Sequence, residues 1–304
     1  MMMRKTIFWG ALTAFAGLLS GAAVHAQSVS GSFFASEDSD DFRESKQTVG
    51  YTASSGWGLR AGAMRYTSPA WAASGQMLAG TFQRTDDRRT MDAYLGAARV
   101  AGFDYVVGGL DYMEHLRPGT SLGVSVERDL VNSVRGIDTG THFTALALVL
   151  DHAFSQRFNV GVAAGTALFS NDNNRPILRT RWNYSLNEDY GLNLFLKTRN
   201  YHNTNPYRRE YFSPDRLSEV SAGLSARFAV AQAAVLSASV DAGQQRIDGA
   251  SEPIWRVAVG LGARRNDRVQ WFVGVEASDA APLFSGQAGS YRYTSATARV
   301  TVPF

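Results

Sequence analysis

Apolar and polar residues alternate along most of this chain, and the alternation recurs in many separate segments. In the last segment, one face holds Ala296, Ala298, Val300, Val302 and Phe304, and the other face holds serine, threonine and arginine. The same period of two recurs in segments that begin near residues 178, 192, 255 and 271. Because successive side chains of a β-strand point to opposite faces, the pattern predicts strands with one apolar and one polar face.

Turn-forming sequences separate the alternating segments, among them Arg117-Pro118-Gly119, Asn171-Asp172-Asn173-Asn174, Asp248-Gly249 and Asn266-Asp267. We predict about 16 strands, within a range of about 14 to 18, because the segments 28–54 and 85–105 are ambiguous. An even number is typical of a single-chain bacterial outer-membrane barrel. The predicted strands span 28–36, 43–54, 58–68, 73–85, 90–101, 103–115, 120–133, 142–154, 158–170, 175–188, 190–202, 216–229, 233–246, 253–265, 269–279 and 290–304.

A soluble β-sandwich is the alternative interpretation of the alternation. The outer strand faces of a sandwich would carry charged residues, whereas the apolar faces here carry Trp, Tyr and Phe near the strand ends. After residue 26, no apolar run is long enough to cross a bilayer as a helix. Strands that cross lipid must close into a barrel, since lipid offers no partner to an open sheet edge. We therefore predict an all-β fold, a transmembrane antiparallel β-barrel.

The first 26 residues have the pattern of an export signal. Arg4 and Lys5 precede an apolar stretch over residues 7–24, and Val24-His25-Ala26 resembles a cleavage site. An uncleaved membrane anchor is the alternative, but the glycine, alanine and serine within the stretch disfavour it. We expect cleavage after Ala26, a signal peptide over 1–26 and an outer-membrane barrel over 27–304.

Composition excludes several classes of function. The chain has no cysteine, so disulfides, thiolate metal sites and cysteine nucleophiles are absent. Removal of the signal lowers the net charge from +3 to +1, because it takes away two cations and no acid. So small a charge does not favour nucleic acid as a partner. We find no motif for a metal or a cofactor and predict neither.

A barrel of about 16 strands is wide enough for an aqueous lumen, which makes the inward residues the candidate functional surface. Arg179, Arg181, Lys197 and Arg199 share inward parity on two consecutive strands and are expected to form a positive patch, unless acidic residues across the pore neutralise it. Such a patch favours anionic or strongly hydrogen-bonding solutes. The alternative is that arginine and glutamate of neighbouring strands pair and brace the wall.

The full set of candidate pore-lining residues has inward parity on the strands of the C-terminal half. These candidates are Arg179, Arg181, Lys197, Arg199, Arg227, Arg256, Arg264, Glu276 and Arg299. Glu219 is a second acidic residue with inward parity in this half of the chain.

Candidate catalytic residues are few. Asp151-His152 lies at a predicted strand end, and a rim-site hydrolase would use a histidine beside an acid or a serine. A histidine at a strand end is more often an interfacial or hydrogen-bonded surface residue, so we expect no enzyme. Phe304 ends the last strand, and a terminal aromatic there is similar to the signal that the outer-membrane barrel assembly machinery reads.

Several short segments resemble the C-terminal barrels of exopolysaccharide export porins, the poly-N-acetylglucosamine and cellulose export type. They are Ser36–Asp41, Glu127–Ser133, Asn171–Arg175, Arg199–Tyr207 and Tyr211–Arg216. The resemblance covers most of the chain after the signal. Such porins usually carry a tetratricopeptide region, which this chain lacks. The resemblance therefore implies a barrel that works with separate periplasmic export proteins.

The resemblance implies an outer-membrane conduit for a secreted exopolysaccharide. Its expected partners are outer-membrane lipids, the barrel assembly machinery, the polysaccharide and periplasmic export proteins. A general diffusion porin or a structural outer-membrane barrel is the main alternative, and a rim-site hydrolase is a third.

Overall fold

The computed structural model describes residues 27–231, 233–264, 268–283 and 291–304. Sixteen antiparallel strands follow one another around a closed barrel, in which the first strand pairs with the last. The structure confirms the predicted fold class and the strand number. The strands are β1 (Ser28–Asp38), β2 (Arg43–Thr52), β3 (Trp57–Ser68), β4 (Trp71–Thr85), β5 (Arg89–Val100), β6 (Phe103–Arg117), β7 (Thr120–Leu130), β8 (His142–Ala153), β9 (Phe158–Phe169), β10 (Asn174–Asn187), β11 (Leu192–His202), β12 (Arg216–Ala231), β13 (Ala234–Ile247), β14 (Ala250–Ala263), β15 (Gln270–Ser278) and β16 (Tyr293–Pro303).

A clear difference from the predicted boundaries lies after β7. The predicted strand extends to residue 133, but β7 ends at Leu130 and a short helix, α1 (Val134–Asp138), follows. Ser133 is the helix N-cap, and its hydroxyl accepts a hydrogen bond from the N–H of Gly136 at 2.9 Å. Because a serine N-cap stabilises a helix that begins at the next residue, the chain leaves the extended conformation here. The expected signal peptide and the expected turn at Asn266-Asp267 lie outside the described residues.

No helix in the described part of the chain is long and apolar enough to cross a membrane.

Strand periodicity divides the barrel wall into two chemically different faces. On β14 the large apolar side chains Trp255, Val257, Val259 and Leu261 are exposed, while the residues between them point into the barrel. The other strands repeat this arrangement, so the exposed face of the barrel is apolar around its circumference. An apolar outer face is what a barrel needs in order to contact lipid chains.

The barrel has two unlike ends. The end that holds residues Gln27 and Phe304, which we call the terminal end, has short connections and aromatic pairs in which at least one ring is exposed. Examples are Trp57 with Phe82, whose ring centroids are 4.8 Å apart, and Phe154 with Phe158, at 5.5 Å. The opposite end, the loop end, carries the connections 131–141, 203–215 and 279–292, the last described at 279–283 and 291–292.

Loop-end connections fold into the barrel. Tyr211, Phe212 and Leu283 pack against inward residues of β10 and β11, Ile177 and Tyr201, in one buried apolar cluster. Ile137 of α1 packs in a second cluster with inward residues of the strands on the opposite side. The apolar core of this protein therefore lies inside the barrel near the loop end.

Candidate functional site

The four residues of the predicted basic row point into the lumen from β10 and β11. Register pairs Arg179 directly with Arg199, and Arg181 directly with Lys197, as the shared parity predicts. Phe195, two residues before Lys197, is 2% exposed, and two of these cations lie over its ring. The Arg181 guanidinium carbon lies 4.3 Å from the ring centroid and the Lys197 Nζ 5.1 Å. Cations over an aromatic face are stabilised by its quadrupole.

Two acidic residues from the next strands neutralise part of this row. Arg199 Nη2 lies 2.5 Å from Glu219 Oε2, and Lys197 Nζ lies 2.6 Å from Asp241 Oδ1. Arg256 joins both acids, at 2.6 Å from Glu219 Oε1 and 3.2 Å from Asp241 Oδ2. We call these five residues the charge ladder, because the acids on β12 and β13 lie between cations on β11 and β14.

Ion pairs therefore neutralise part of the expected positive patch. The acids that neutralise it come from neighbouring strands rather than from across the pore, because antiparallel pairing brings same-face residues of adjacent strands into contact. Three cations and two acids leave the charge ladder with a net charge of +1. Glu219 is one of the residues expected to point inward. Asp241, the one acidic residue of β13, is not among them, because nothing in its own strand marks it as part of a charged row.

The other candidate pore-lining residues are spread around the barrel. Arg299 on β16 is paired with Ser32, and Glu276 on β15 with Ala258, both on the lumen face. Arg227 lies toward the terminal end of β12, and Arg264 follows β14 at the same end. Glu276 lies close enough to Arg256, Lys197 and Asp241 to interact with them electrostatically. Arg227, Arg264 and Arg299 belong to other parts of the wall.

The most buried charged residue is absent from the predicted pore-lining residues. Arg175, at the start of β10, is 0% exposed and donates hydrogen bonds from Nε to Asn203 Oδ1 at 2.8 Å and from Nη2 to the carbonyl of Phe212 at 2.7 Å. Its Nη1 donates to the carbonyl of Leu283. The guanidinium therefore binds two different loop-end connections at once.

Three aromatic rings enclose Arg175. Its guanidinium carbon lies 5.1 Å from the ring centroid of Phe169, 4.6 Å from that of Tyr201 and 5.5 Å from that of Tyr211. The Nδ2 of Asn173 donates to the hydroxyl of Tyr211 at 2.9 Å, which fixes that ring. Burial raises the pKa of Tyr211, so its hydroxyl keeps its proton and can donate to Asn171. Two segments named for their resemblance to export porins, Asn171–Arg175 and Tyr211–Arg216, thus meet here.

The histidine and the acid at the predicted strand end do not share one face of the wall. Asp151 and His152 are consecutive on β8 and therefore point to opposite faces of the wall. His152 Nδ1 lies 2.9 Å from Thr120 Oγ1, and His115 Nδ1 lies 2.8 Å from Ser121 Oγ. Both histidines are bound to cross-strand hydroxyls. Among the described residues, no group of three or more histidine, aspartate or glutamate side chains is arranged to hold a metal ion.

Solved structures show a barrel like this one over nearly its whole length. No protein-family model and no curated protein matches the chain. A structure described as a bacterial polysaccharide outer membrane secretin has a TM-score of 0.73 at 13% identity, covering 92% of this chain and 99% of that one. CdiB from Acinetobacter baumannii has a TM-score of 0.52 at 10% identity, covering 91% of this chain and 60% of that one. The chain has the fold of an outer-membrane barrel. At these identities the likeness shows the fold alone.

Proposed function

We propose that this protein is an outer-membrane conduit for a secreted exopolysaccharide. Two independent lines support the proposal. The sequence segments that resemble export porins recur along the chain, and the barrel matches a polysaccharide outer membrane secretin over 99% of that structure. The apolar outer face and the aromatic pairs at the terminal end suit a membrane location.

The observation that carries the proposal is the chemistry of the lumen wall on β10–β14. The charge ladder presents guanidinium, ammonium and carboxylate groups that are already paired, and Phe195 lies beside them. Paired charges can exchange hydrogen bonds with hydroxyls without the strong net field that would trap a charged solute. Amides extend the same wall, since Asn183 Nδ2 donates to Asn159 Oδ1 at 3.0 Å. A polymer of hydroxyl-bearing sugars can slide along such a surface.

A general diffusion porin fits the structure less well. A porin for small solutes needs a lumen that stays open, whereas described residues of three loop-end connections pack inside this barrel. Loop-end residues around Arg175 are held by several hydrogen bonds rather than lying free in the mouth. An export conduit needs such an obstruction, because a permanently open pore would admit small solutes from outside.

The proposal includes a route to the membrane and partners. The chain would be exported with cleavage after Ala26, and its terminal end would face the periplasm, where separate export proteins deliver the polymer. The barrel assembly machinery would read Phe304, whose side chain is exposed beside Tyr51 with ring centroids 6.5 Å apart. No catalytic role is proposed.

Deletion and complementation test the proposal. A strain without this protein should lose surface polymer and retain it in the periplasm, and the wild-type gene should restore export. Normal surface polymer in the deletion strain would remove export as the function.

Adjacent residues of β9 supply a matched pair of variants, because Ala163 lies inside the barrel and Ala164 is exposed outside. Ala163→Phe should narrow the lumen and reduce export, whereas Ala164→Phe should not. Both barrels must first be shown to be assembled by heat-modifiable migration on gels. Equal export by the two assembled variants would show that polymer does not pass this part of the lumen.

A further inference from the structure

One stretch of the chain enters the lumen without joining the sheet. Residues Asp279–Leu283, which we call the plug segment, follow β15 and form no strand. Ala280, Ala281 and Leu283 are nevertheless 5–6% exposed, as buried as residues of the barrel wall. The N–H of Asp279 still donates to the carbonyl of Trp255 on β14 at 3.2 Å. The residues after it are packed inside the barrel, where side chains of the wall hold them.

Side chains of the lumen wall hold the backbone of the plug segment. Arg199 Nη2 donates to the carbonyl of Ala281 at 2.7 Å, and Gln245 Oε1 accepts from the N–H of Ala281 at 2.9 Å. Arg175 Nη1 donates to the carbonyl of Leu283. At the base of the segment, the N–H of Trp255 donates to Asp279 Oδ1 at 2.6 Å. The lumen wall thus receives a piece of the protein's own backbone as it would receive a ligand.

Arg175 differs from Arg199 in what balances its charge. Arg199 is paired with Glu219, but Arg175 forms no ion pair in the described part of the chain, and its partners are carbonyl and amide oxygens and three rings. A buried guanidinium without a carboxylate carries a desolvation cost that its hydrogen bonds must offset. Hydration of Arg175 would recover that cost when the plug segment leaves. The hydrogen bonds to the segment therefore stabilise the closed arrangement together with the apolar packing of Ala281 and Leu283.

We propose that the plug segment is a displaceable obstruction of the lumen and that Arg175 is its latch. The wall side chains that bind it, Arg175, Arg199 and Gln245, supply donors and an acceptor that water or polymer hydroxyls can equally satisfy. Ala281 and Leu283 also pack in the apolar cluster with Tyr211 and Phe212. These contacts can be lost without breaking sheet hydrogen bonds, whereas a strand of the wall could not be released without opening the sheet. A latch of this kind does not depend on which solute passes. The proposal for the plug segment would therefore still hold if polysaccharide export were disproved.

The absence of cysteine makes the segment accessible to a clean labelling experiment. Ala281→Cys places a single thiol in the buried part of the segment, and Gln156→Cys places one at an exposed terminal-end connection as the fully accessible reference. A water-soluble thiol reagent should modify Ala281→Cys much more slowly than Gln156→Cys. Adding Arg175→Met, which removes every donor of the latch, should raise the rate at Ala281→Cys at least about tenfold.

Two further variants separate a latch from general loosening. Arg60→Met removes a guanidinium that lies over Tyr94, 5.3 Å from its ring centroid, on strands remote from the plug segment. It should leave the labelling rate unchanged, and Arg175→Lys, which keeps the charge but not the fork of donors, should give an intermediate rate. All variants are compared only as heat-modifiable, assembled barrels. The proposal is overturned if Ala281→Cys in the parent protein labels as fast as the reference, or if Arg175→Met leaves its rate unchanged.

Discussion

The loop end and the terminal end of this barrel close the same sixteen strands in different ways. At the terminal end, the connections are short and aromatic rings are exposed on the outer face. Tyr190, for example, is exposed and its ring lies beside that of Phe228. At the loop end, connections turn inward and bury polar groups such as Arg175 and Asn173, both 0% exposed. The terminal end therefore has the chemistry of a membrane boundary, whereas the loop end has a packed interior that buries polar groups. The charge ladder lies in the wall between the two.

Breaking the charge ladder should have the largest effect on stability. Glu219 is 6% exposed and binds both Arg199 and Arg256. Its removal in Glu219→Ala leaves two guanidinium groups short of a partner, which should lower the free energy of unfolding by about 3–5 kcal/mol. Denaturant unfolding of the refolded barrel measures this.

The matched control for that change is an exposed ion pair. Glu37 binds Arg43 at 2.9 Å near the loop end, with both side chains largely in solvent. Glu37→Ala should cost less than about 1 kcal/mol. Equal losses for the two variants would show that the charge ladder does not stabilise the wall.

At the terminal end, Phe304 should matter for assembly rather than for the stability of the finished barrel. Its side chain is 63% exposed, so Phe304→Ala removes little buried contact. We expect a several-fold lower amount of barrel in the outer membrane and an unchanged unfolding midpoint of the barrel that does assemble. Quantitative immunoblotting of membrane fractions and denaturant unfolding measure the two. Normal membrane levels would exclude Phe304 as the assembly signal.

The basic residues outside the charge ladder should set ion selectivity. Arg181 donates to Asn183 at 2.8 Å and forms no ion pair in the described structure, and Arg179 lies beside it on β10. The double variant Arg179→Gln with Arg181→Gln keeps hydrogen-bonding capacity and removes two positive charges. Reversal potentials in planar bilayers should move toward cation selectivity, by an amount that salt reduces. An unmoved reversal potential would show that these charges do not face the conducting path.

A small pH effect should appear at the terminal end. Asp86, in the turn between β4 and β5, accepts hydrogen bonds from the backbone N–H of Arg88 and from Arg89, which lowers its pKa from 3.8 to about 2. Because the folded pKa is depressed, the contribution of this turn is complete above pH 3.8 and is lost as the pH falls toward 2. The carboxyl carbon shift of Asp86 in an NMR titration should report this, and a midpoint near the ordinary value of an aspartate would contradict it.

The regular wall was predictable from sequence because strand periodicity is local. The inward parity of Arg179, Arg181, Lys197 and Arg199 and the turn at Asp248-Gly249 follow from a few neighbouring residues, and that turn has the positive φ values its sequence favours, 49° and 96°. To predict that β1 pairs with β16, it was enough to expect an even number of strands and a membrane environment.

The loop end was not predictable in the same way. Arg175 forms hydrogen bonds with residues that lie 28 to 108 positions away along the chain, and no local pattern marks the carbonyls of Phe212 and Leu283 as its partners. Asp241 was missed for a related reason, since its role depends on Lys197 two strands away and on Arg256 of the next strand. The one available signal was a single acid in an inward row whose other residues are uncharged.

Single-channel recording of the purified barrel in planar bilayers tests most directly whether the loop end controls passage through this barrel. The wild type should conduct in rare, short openings, and Arg175→Met should conduct in long openings. Arg60→Met should have the same open times as the wild type. Sustained full conductance of the wild type, or identical open times in wild type and Arg175→Met, would contradict a latched loop end.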